Sequence, residues 1–184
     1  MEIIKIPAER LGVLVGPEGK TKEMLEHELK VKIEIFREEC AVELDGDTVD
    51  EYFGKDVIKA IGRGFEPKMA LKLLREDYCL KIIDLDEYAH SKNGIMRLKG
   101  RVIGEGGRSK LIIEETGEAN LSIYGNTVGV IAKLETVDIV MAALFKLLEG
   151  AMHSTVYAYL EKSRRKLKED RATNLYSGGE KLGK

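Results

Sequence analysis

Read for its apolar positions, the chain runs through one order of elements and then begins it again. Glu2-Ile3-Ile4-Lys5-Ile6 reads as a strand that Pro7 closes, and Ala8, Leu11, Leu14 and Val15 then recur at helical spacing as far as Gly16. Gly16-Pro17-Glu18-Gly19 is a turn, and from Lys20 a second helix carries Met24, Leu25 and Leu29 on one face. Val31, Ile33 and Ile35, alternating with Lys32, Glu34 and Phe36, predict a half-buried strand. Cys40, Val42 and Leu44 predict the next, ending at Asp45-Gly46-Asp47. Phe53, Val57, Ile58 and Ile61 mark a third helix that stops near Gly62 and Gly64. Glu66-Pro67 then opens a short helix with Ala70, Leu71, Leu73 and Leu74 on its buried side, a bridge to the second half of the chain.

The order repeats from there. Tyr78 to Leu85 predicts a strand, and Gly94 to Ile103 a helix with Ile95, Leu98 and Val102 in line. Gly104-Glu105-Gly106-Gly107 is a turn leading into a helix through Leu111, Ile112 and Thr116, which Gly117 ends. Leu121 and Ile123 mark one strand and Val128 to Ile131 another. A long helix follows with Val137, Val140, Ala143, Leu144, Leu147 and Leu148 on its apolar stripe. At an offset of 88 residues Gly12 meets Gly100, Gly16 meets Gly104, Gly19 meets Gly107, Lys20 meets Arg108, Thr21 meets Ser109 and Lys22 meets Lys110. So many matches in one register identify an internal duplication. Beyond Gly150, Val156, Leu160, Ser163 and Leu167 keep a helical period, and Tyr176 onward predicts a mobile tail.

The two glycine turns carry the chemistry. A corner between two helices that has few side chains lets a phosphodiester approach the backbone N–H groups where the second helix starts. Basic residues in that helix's first turn add charge-assisted contacts to phosphate oxygens. The candidates are Gly16, Pro17, Glu18, Gly19, Lys20 and Lys22 at the first turn. At the second they are Gly104, Glu105, Gly106, Gly107, Arg108 and Lys110, with Arg97, Lys99 and Arg101 on the helix before it.

Charge ranks the two. The chain's net charge is -2, but residues 1–77 hold 13 basic against 18 acidic side chains, and residues 78–184 hold 17 against 14. Residues 97–110 sum to +4 and residues 10–24 to +1. Affinity for a polyanion and its salt dependence both grow with the phosphates neutralised, so the second turn is expected to bind the more strongly. The acidic first half is left to a protein partner or to positioning the second half. Lys162, Arg164, Arg165, Lys166 and Lys168 form a further basic run that either meets RNA or is solvated.

Other chemistries fit less well. A phosphate-binding P-loop ending at Gly19-Lys20-Thr21 needs glycine at position 14, which is Leu, and a strand where the pattern is helical. His27, His90 and His153 show no ligand spacing, Cys40 and Cys79 read as buried free thiols of a reducing cytoplasm, and Glu114-Glu115 as solvated helix-end charges. No catalytic set, metal site, cofactor or membrane span is expected. The absence of glutamine beside abundant Lys, Arg and Glu is a bias of proteins from hot environments.

The β-α-Gly-x-x-Gly-α-β-β-α order, found twice, resembles a tandem of type I KH domains, modules that clamp about four single-stranded nucleotides at that loop. Lys20-Thr21-Lys22 and Arg108-Ser109-Lys110 after the loops, Gly64-Phe65-Glu66-Pro67 with Ala70-Leu71-Lys72-Leu73-Leu74 between the repeats, and the long basic C-terminal helix narrow the resemblance to the partner-of-Nob ribosome-assembly family. The resemblance implies an α+β fold, each domain a three-stranded sheet packed against three helices, with a C-terminal helical extension. The domains would be residues 1–65 and 78–150, joined by a linker helix at 66–77 and followed by a basic helix and tail at 151–184. It also implies binding near the 3′ end of small-subunit ribosomal RNA during maturation, and contacts with the Nob endonuclease and the alpha subunit of translation initiation factor two. Eukaryotic members tend to have a degenerate first loop; here that loop is intact. Leu98, Val102, Leu121 and Ile123 either line the base-binding groove or belong to the core. A structural subunit of an RNA-degrading complex is the alternative, but two repeats fill the 184 residues and leave no room for the β-barrel such subunits carry.

Overall fold

Alternating apolar residues build two antiparallel three-stranded sheets, each backed by helices. A computed structural model describes residues 2–177. The first half contains β1 (Glu2–Lys5), α1 (Ala8–Val15), α2 (Lys20–Leu29), β2 (Lys32–Phe36), β3 (Ala41–Asp45) and α3 (Thr48–Gly62). A single helical turn, α4 (Pro67–Ala70), tightens into a 3₁₀ turn over Leu71–Leu74. The second half contains β4 (Tyr78–Asp84), α5 (Lys92–Ile103), α6 (Arg108–Gly117), β5 (Ala119–Tyr124), β6 (Thr127–Lys133), α7 (Val137–Leu148) and α8 (His153–Ser177). The strand orders are β1-β3-β2 and β4-β6-β5, so the last strand of each half is central in its sheet. The α+β expectation holds. The expected mobile tail begins at Tyr176, and its residues from 178 on lie outside the described residues.

Each sheet packs one face on its own helices. Leu14, Leu25, Leu29, Ile33, Leu44 and Ile58 centre the first core, and Leu98, Val102, Ile113, Val130, Leu144 and Leu147 the second. The pairing of Ile4 and Ile35 with Val42, and of Ile83 and Ile123 with Val128, runs apolar residues across all three strands of each sheet. Helix α8 belongs to the second core, because Val156 and Leu160 are fully buried in it. Two such side chains contribute about 3–6 kcal/mol. Beyond them Arg171 bonds both Glu118 and Glu135 and holds the far end of the helix down.

The halves meet through the outer face of the second sheet. Thr127 to Ala132 are all buried, unlike a strand with one wet face. Val128, Val130 and Ala132 face the second core, while Ile131 joins the first, beside Phe65, Ala70 and Leu73 of the bridge. Gly129 makes this approach possible: a Cβ there would stand 2.7 Å from the Phe65 ring. Polar bonds frame the contact. Lys72 Nζ donates to Asn120 Oδ1 at 2.9 Å, Ser122 Oγ donates to the Arg63 carbonyl at 2.8 Å, and the Tyr124 hydroxyl bonds Glu9. The Arg10 guanidinium lies 5.7 Å from the centre of the Tyr124 ring.

Several local expectations change. In α6 the buried stripe is Ser109, Ile113 and Thr116, and Leu111 is 52% exposed. Counting i, i+4, i+7 from Ser109 gives this face, which a polar first member hides. Cys40 lies in the turn before β3 with φ 50°, and both cysteines are partly exposed free thiols. Leu85 leaves the strand for a 3₁₀ turn, and α5 starts two residues early because Ser91 Oγ accepts from Gly94 N–H.

Candidate nucleic-acid interface

The two glycine turns have one backbone shape. Gly16 has φ 70° and ψ -179°, and Gly104 has φ 74° and ψ 173°. The third positions agree, Glu18 at φ 53° and Gly106 at φ 58°, then Gly19 at 79° and Gly107 at 80°. Equivalent bonds close both corners: Gly16 N–H to Gly12 O at 2.9 Å and Gly104 N–H to Gly100 O at 2.8 Å. The first glycine is sterically required, since a Cβ at Gly104 would lie 2.6 Å from Ser109 Cβ and one at Gly16 2.0 Å from Thr21 Oγ1. Neither α2 nor α6 has a side-chain cap, so each presents a bare helix start where the chain turns. Helix α1, not a strand, leads into the first turn, which is not P-loop geometry.

The predicted basic residues of the second half lie on different sides of this corner. Arg97, Arg101, Glu105 and Arg108 line a cleft of 580 Å³ whose far wall is the start of α8, with His153, Ser154 and Tyr157. Lys110 lines a second cleft of 340 Å³, between α6 and the free edge of β5. Lys99 borders neither, but a third with Lys92, Met96 and Asn126. Helical geometry forces the split, because residues 97, 101 and 104 share a face while residue 99 lies about 200° round from 97. Arg101 is partly committed: its Nε donates to Leu147 O at 2.8 Å and its Nη2 to Ala151 O, closing the carbonyl end of α7. Arg10 does the same for α3, donating to Ile61 O at 2.7 Å and Phe65 O at 2.6 Å.

The cleft beside Lys110 is an open groove along α6 and β5. Asn120 to Ile123 form its floor, with Leu121 buried and Ile123 partly exposed, while Leu98 and Val102 belong to the core. Gly64, Phe65, Glu66 and Met69 of the bridge form its outer wall. Glu114 lies inside it, and its Oε1 accepts from Leu121 N–H at 2.7 Å, so it is no merely solvated end charge. Lys110 Nζ stands 4.0 Å from the same carboxylate. The first half repeats both contacts at the same offset of 88, with Glu26 accepting from Ile33 N–H at 2.8 Å and Lys22 3.6 Å from Glu26.

Charge pairing separates the two loops. At the first, Lys20 Nζ sits 2.7 Å from Glu18 Oε2 and Lys22 Nζ 3.6 Å from Glu26 Oε1, so both basic side chains that follow the turn are paired with carboxylates. At the second, Arg97 and Arg108 are exposed and no acidic side chain pairs with either among the described residues. No local pattern in the sequence marks the wall of His153, Ser154 and Tyr157. His153 shows no ligand spacing, and its role as a neighbour comes from a bond between its Nε2 and the Arg101 carbonyl at 2.8 Å. In the basic run on α8, Arg164, Arg165 and Lys168 line one further cleft with Glu161.

Comparison with known proteins agrees with this geometry. Residues 79–165 match the model of the eukaryotic type KH domain, KH-domain type I, in its PNO1 second-domain form. The chain is 44% identical over 175 residues to a KH domain-containing protein of Methanocaldococcus jannaschii, covering 93% of this chain and 77% of that one. It is 27% identical over 174 residues to the pre-rRNA-processing protein pno1 of Aspergillus fumigatus, covering 90% and 69%. A chain of the a/eIF2alpha–aDim2p–rRNA complex of Pyrococcus horikoshii superposes with a TM-score of 0.84 at 38% identity, covering 90% of this chain and 94% of that one.

Proposed function

Since the chain belongs to the KH family of the pre-rRNA-processing PNO1 and Dim2 proteins, we propose that it binds single-stranded RNA at the 3′ end of small-subunit ribosomal RNA during ribosome assembly. Residues 1–65 and 78–150 act as two KH domains, linked by 66–77 and extended by 151–184. The second Gly-x-x-Gly turn is the principal clamp. One observation carries this reading: that turn has the backbone shape of the first but offers two arginines unpaired among the described residues and no carboxylate at its third position. A phosphate lies against the bare corner between Arg108 and Lys110, and the adjoining bases enter the groove between α6 and β5. The protein acts by binding, without catalysis, in the cytoplasm. The relative solved with initiation factor 2α supports that factor as a partner, and the family resemblance adds the Nob endonuclease.

The test replaces Glu105-Gly106 with Asp-Asp. Position 106 has φ 58° and open space around it, and Asp is among the residues that tolerate such a conformation, so the fold should persist. Two carboxylates where phosphate must lie should remove most binding to an oligonucleotide of the small-subunit 3′ end. Circular dichroism controls for folding. Wild-type affinity in this variant would refute the second loop as clamp.

A further inference from the structure

The proposed clamp places the bases on the α6–β5 side of the loop and gives no role to α8, which faces Arg97 and Arg108 across the larger cleft. That cleft has a distinct composition. Arg97 reaches it from α5 and Arg108 from the first turn of α6. The opposite wall is the first turn of α8, where His153 and Ser154 stand at the helix start and the Tyr157 side chain comes one turn later. Two helix N-termini therefore open into one space, each with partial positive charge. Among the described residues neither arginine has an acidic partner, and Glu105 is the one carboxylate that lines the cleft.

We infer that this cleft holds a second backbone phosphate of the same RNA strand, so that α8 is part of the RNA site and the strand runs past the loop along it. The face that begins with Ser154 and Tyr157 continues, at helical spacing, through Glu161 to Arg165 and Lys168. Arg165 and Lys168 are exposed and line a cleft there with Arg164, whose Nε is buried without a hydrogen-bond partner. From Ser154 to Lys168 the helix spans about 21 Å, enough for several nucleotides in addition to those at the loop. The inference rests on the second loop being the clamp, and it makes a separate claim: footprint, not existence, of RNA binding depends on α8.

Ser154 provides the test because it is exposed and contributes nothing to the core. Glutamate in the first turn of α8 favours the helix while placing an anion in the cleft. Ser154→Glu, Ser154→Ala and Ser154→Lys would be titrated against a four-nucleotide RNA of the small-subunit 3′ end and against the same RNA lengthened by four nucleotides at its 5′ or its 3′ end. Losing a charge-assisted phosphate contact should weaken one lengthened RNA about tenfold in Ser154→Glu, with the tetranucleotide within about twofold of wild type. The salt slope of that RNA should flatten by about 0.7. Ser154→Lys should act in the opposite sense, and Ser154→Ala should match wild type. Equal affinity of all variants for both lengthened RNAs overturns the inference, as does equal loss with the tetranucleotide, and both leave the loop as clamp. If wild type binds none of the RNAs, the clamp fails and this inference fails with it.

Discussion

Glu18 and Gly106 occupy the same point of the same backbone turn, at φ 53°, ψ 23° and φ 58°, ψ 22°. One half of the duplicated unit thus holds a side chain where the left-handed conformation favours none, and aims its carboxylate at Lys20. The first loop is by construction half of an Asp-Asp variant of the second. Its intact glycines preserve the shape of the corner while its charge opposes the use proposed for that shape.

Glu18→Gly is therefore expected to help twice. Removing a non-glycine residue from positive φ should stabilise the fold by about 1 kcal/mol, and the lost pair with Lys20 offsets little because both side chains are largely exposed. RNA binding should rise when measured in the background with Glu105-Gly106 replaced by Asp-Asp, where only the first loop can respond. Urea melts and a titration with the same oligonucleotide check the two effects separately. A stabilised variant with no gain in binding would exclude the first loop from RNA contact.

Glu114 couples fold and site. Glu114→Ala leaves Leu121 N–H without its acceptor at a partly buried edge, which should cost about 1–2 kcal/mol and lower Tm by a few degrees. Glu114→Gln keeps an oxygen for that N–H and removes the charge beside Lys110, so it should tighten RNA binding two- to threefold at low salt with little change in Tm. Glu26→Ala should lose stability like Glu114→Ala, since its bond to Ile33 is equivalent. If Glu114→Gln weakens binding instead, the carboxylate itself contacts RNA bases.

Local pattern made the strands, the glycine register and the stripe on α7 legible in the sequence, because each is set by neighbours within a few residues. Ile113 is not marked locally because Ser109, a polar residue, begins its stripe, while Leu111, two residues on, is apolar but exposed. The role of Arg101 at the end of α7 was hidden for another reason: a basic residue near a glycine turn looks the same whether it meets phosphate or backbone carbonyls 46 and 50 residues on. The groove wall supplied by Phe65 to Met69, and the cleft wall supplied by His153 to Tyr157, arise only when distant segments pack, and no periodicity encodes that. The burial of Thr127 to Ala132 on both faces is consistent with the apolar run from Val128 to Ala132, which does not identify the partner that covers it.

Acid should release the far end of α8 before the rest. The hydrogen bonds from Arg171 hold the Glu118 carboxyl below the usual carboxylate range. A group with a depressed pKa stabilises the fold fully above its unfolded value, near 4.3, and loses that contribution as pH falls through its folded value. Amide protection around Arg171, measured against the intrinsic exchange rate at each pH, should accordingly fall below about pH 4, while amides near Val156 and Leu160 stay protected by burial. Arg171→Ala should show low protection there at neutral pH as well as below about pH 4. Uniform acid loosening along the whole helix would show that the buried pair, and not this ion pair, governs it.

Gly129 and Phe65 set how closely the two halves approach, and their coupling can be measured. A methyl group at residue 129 would meet the Phe65 ring at 2.7 Å, and the ring cannot simply retreat because Phe65 is only 4% exposed. Gly129→Ala should then cost about 1–3 kcal/mol, the usual penalty of overpacking. Phe65→Leu alone leaves a void and should cost a similar amount. Combined, the two changes exchange ring volume for the methyl, so the double variant should be more stable than the sum of the single costs allows by at least about 1 kcal/mol. Phe65 also walls the groove between α6 and β5, so Phe65→Leu should alter RNA affinity while the loop and its charges are untouched. Urea denaturation of the four proteins gives the coupling, and an oligonucleotide titration gives the second effect. Strict additivity would mean the halves separate easily and do not share a core, in which case the groove has no wall from the first half. Coupling without any change in RNA affinity would keep the shared core and remove Phe65 from the RNA site.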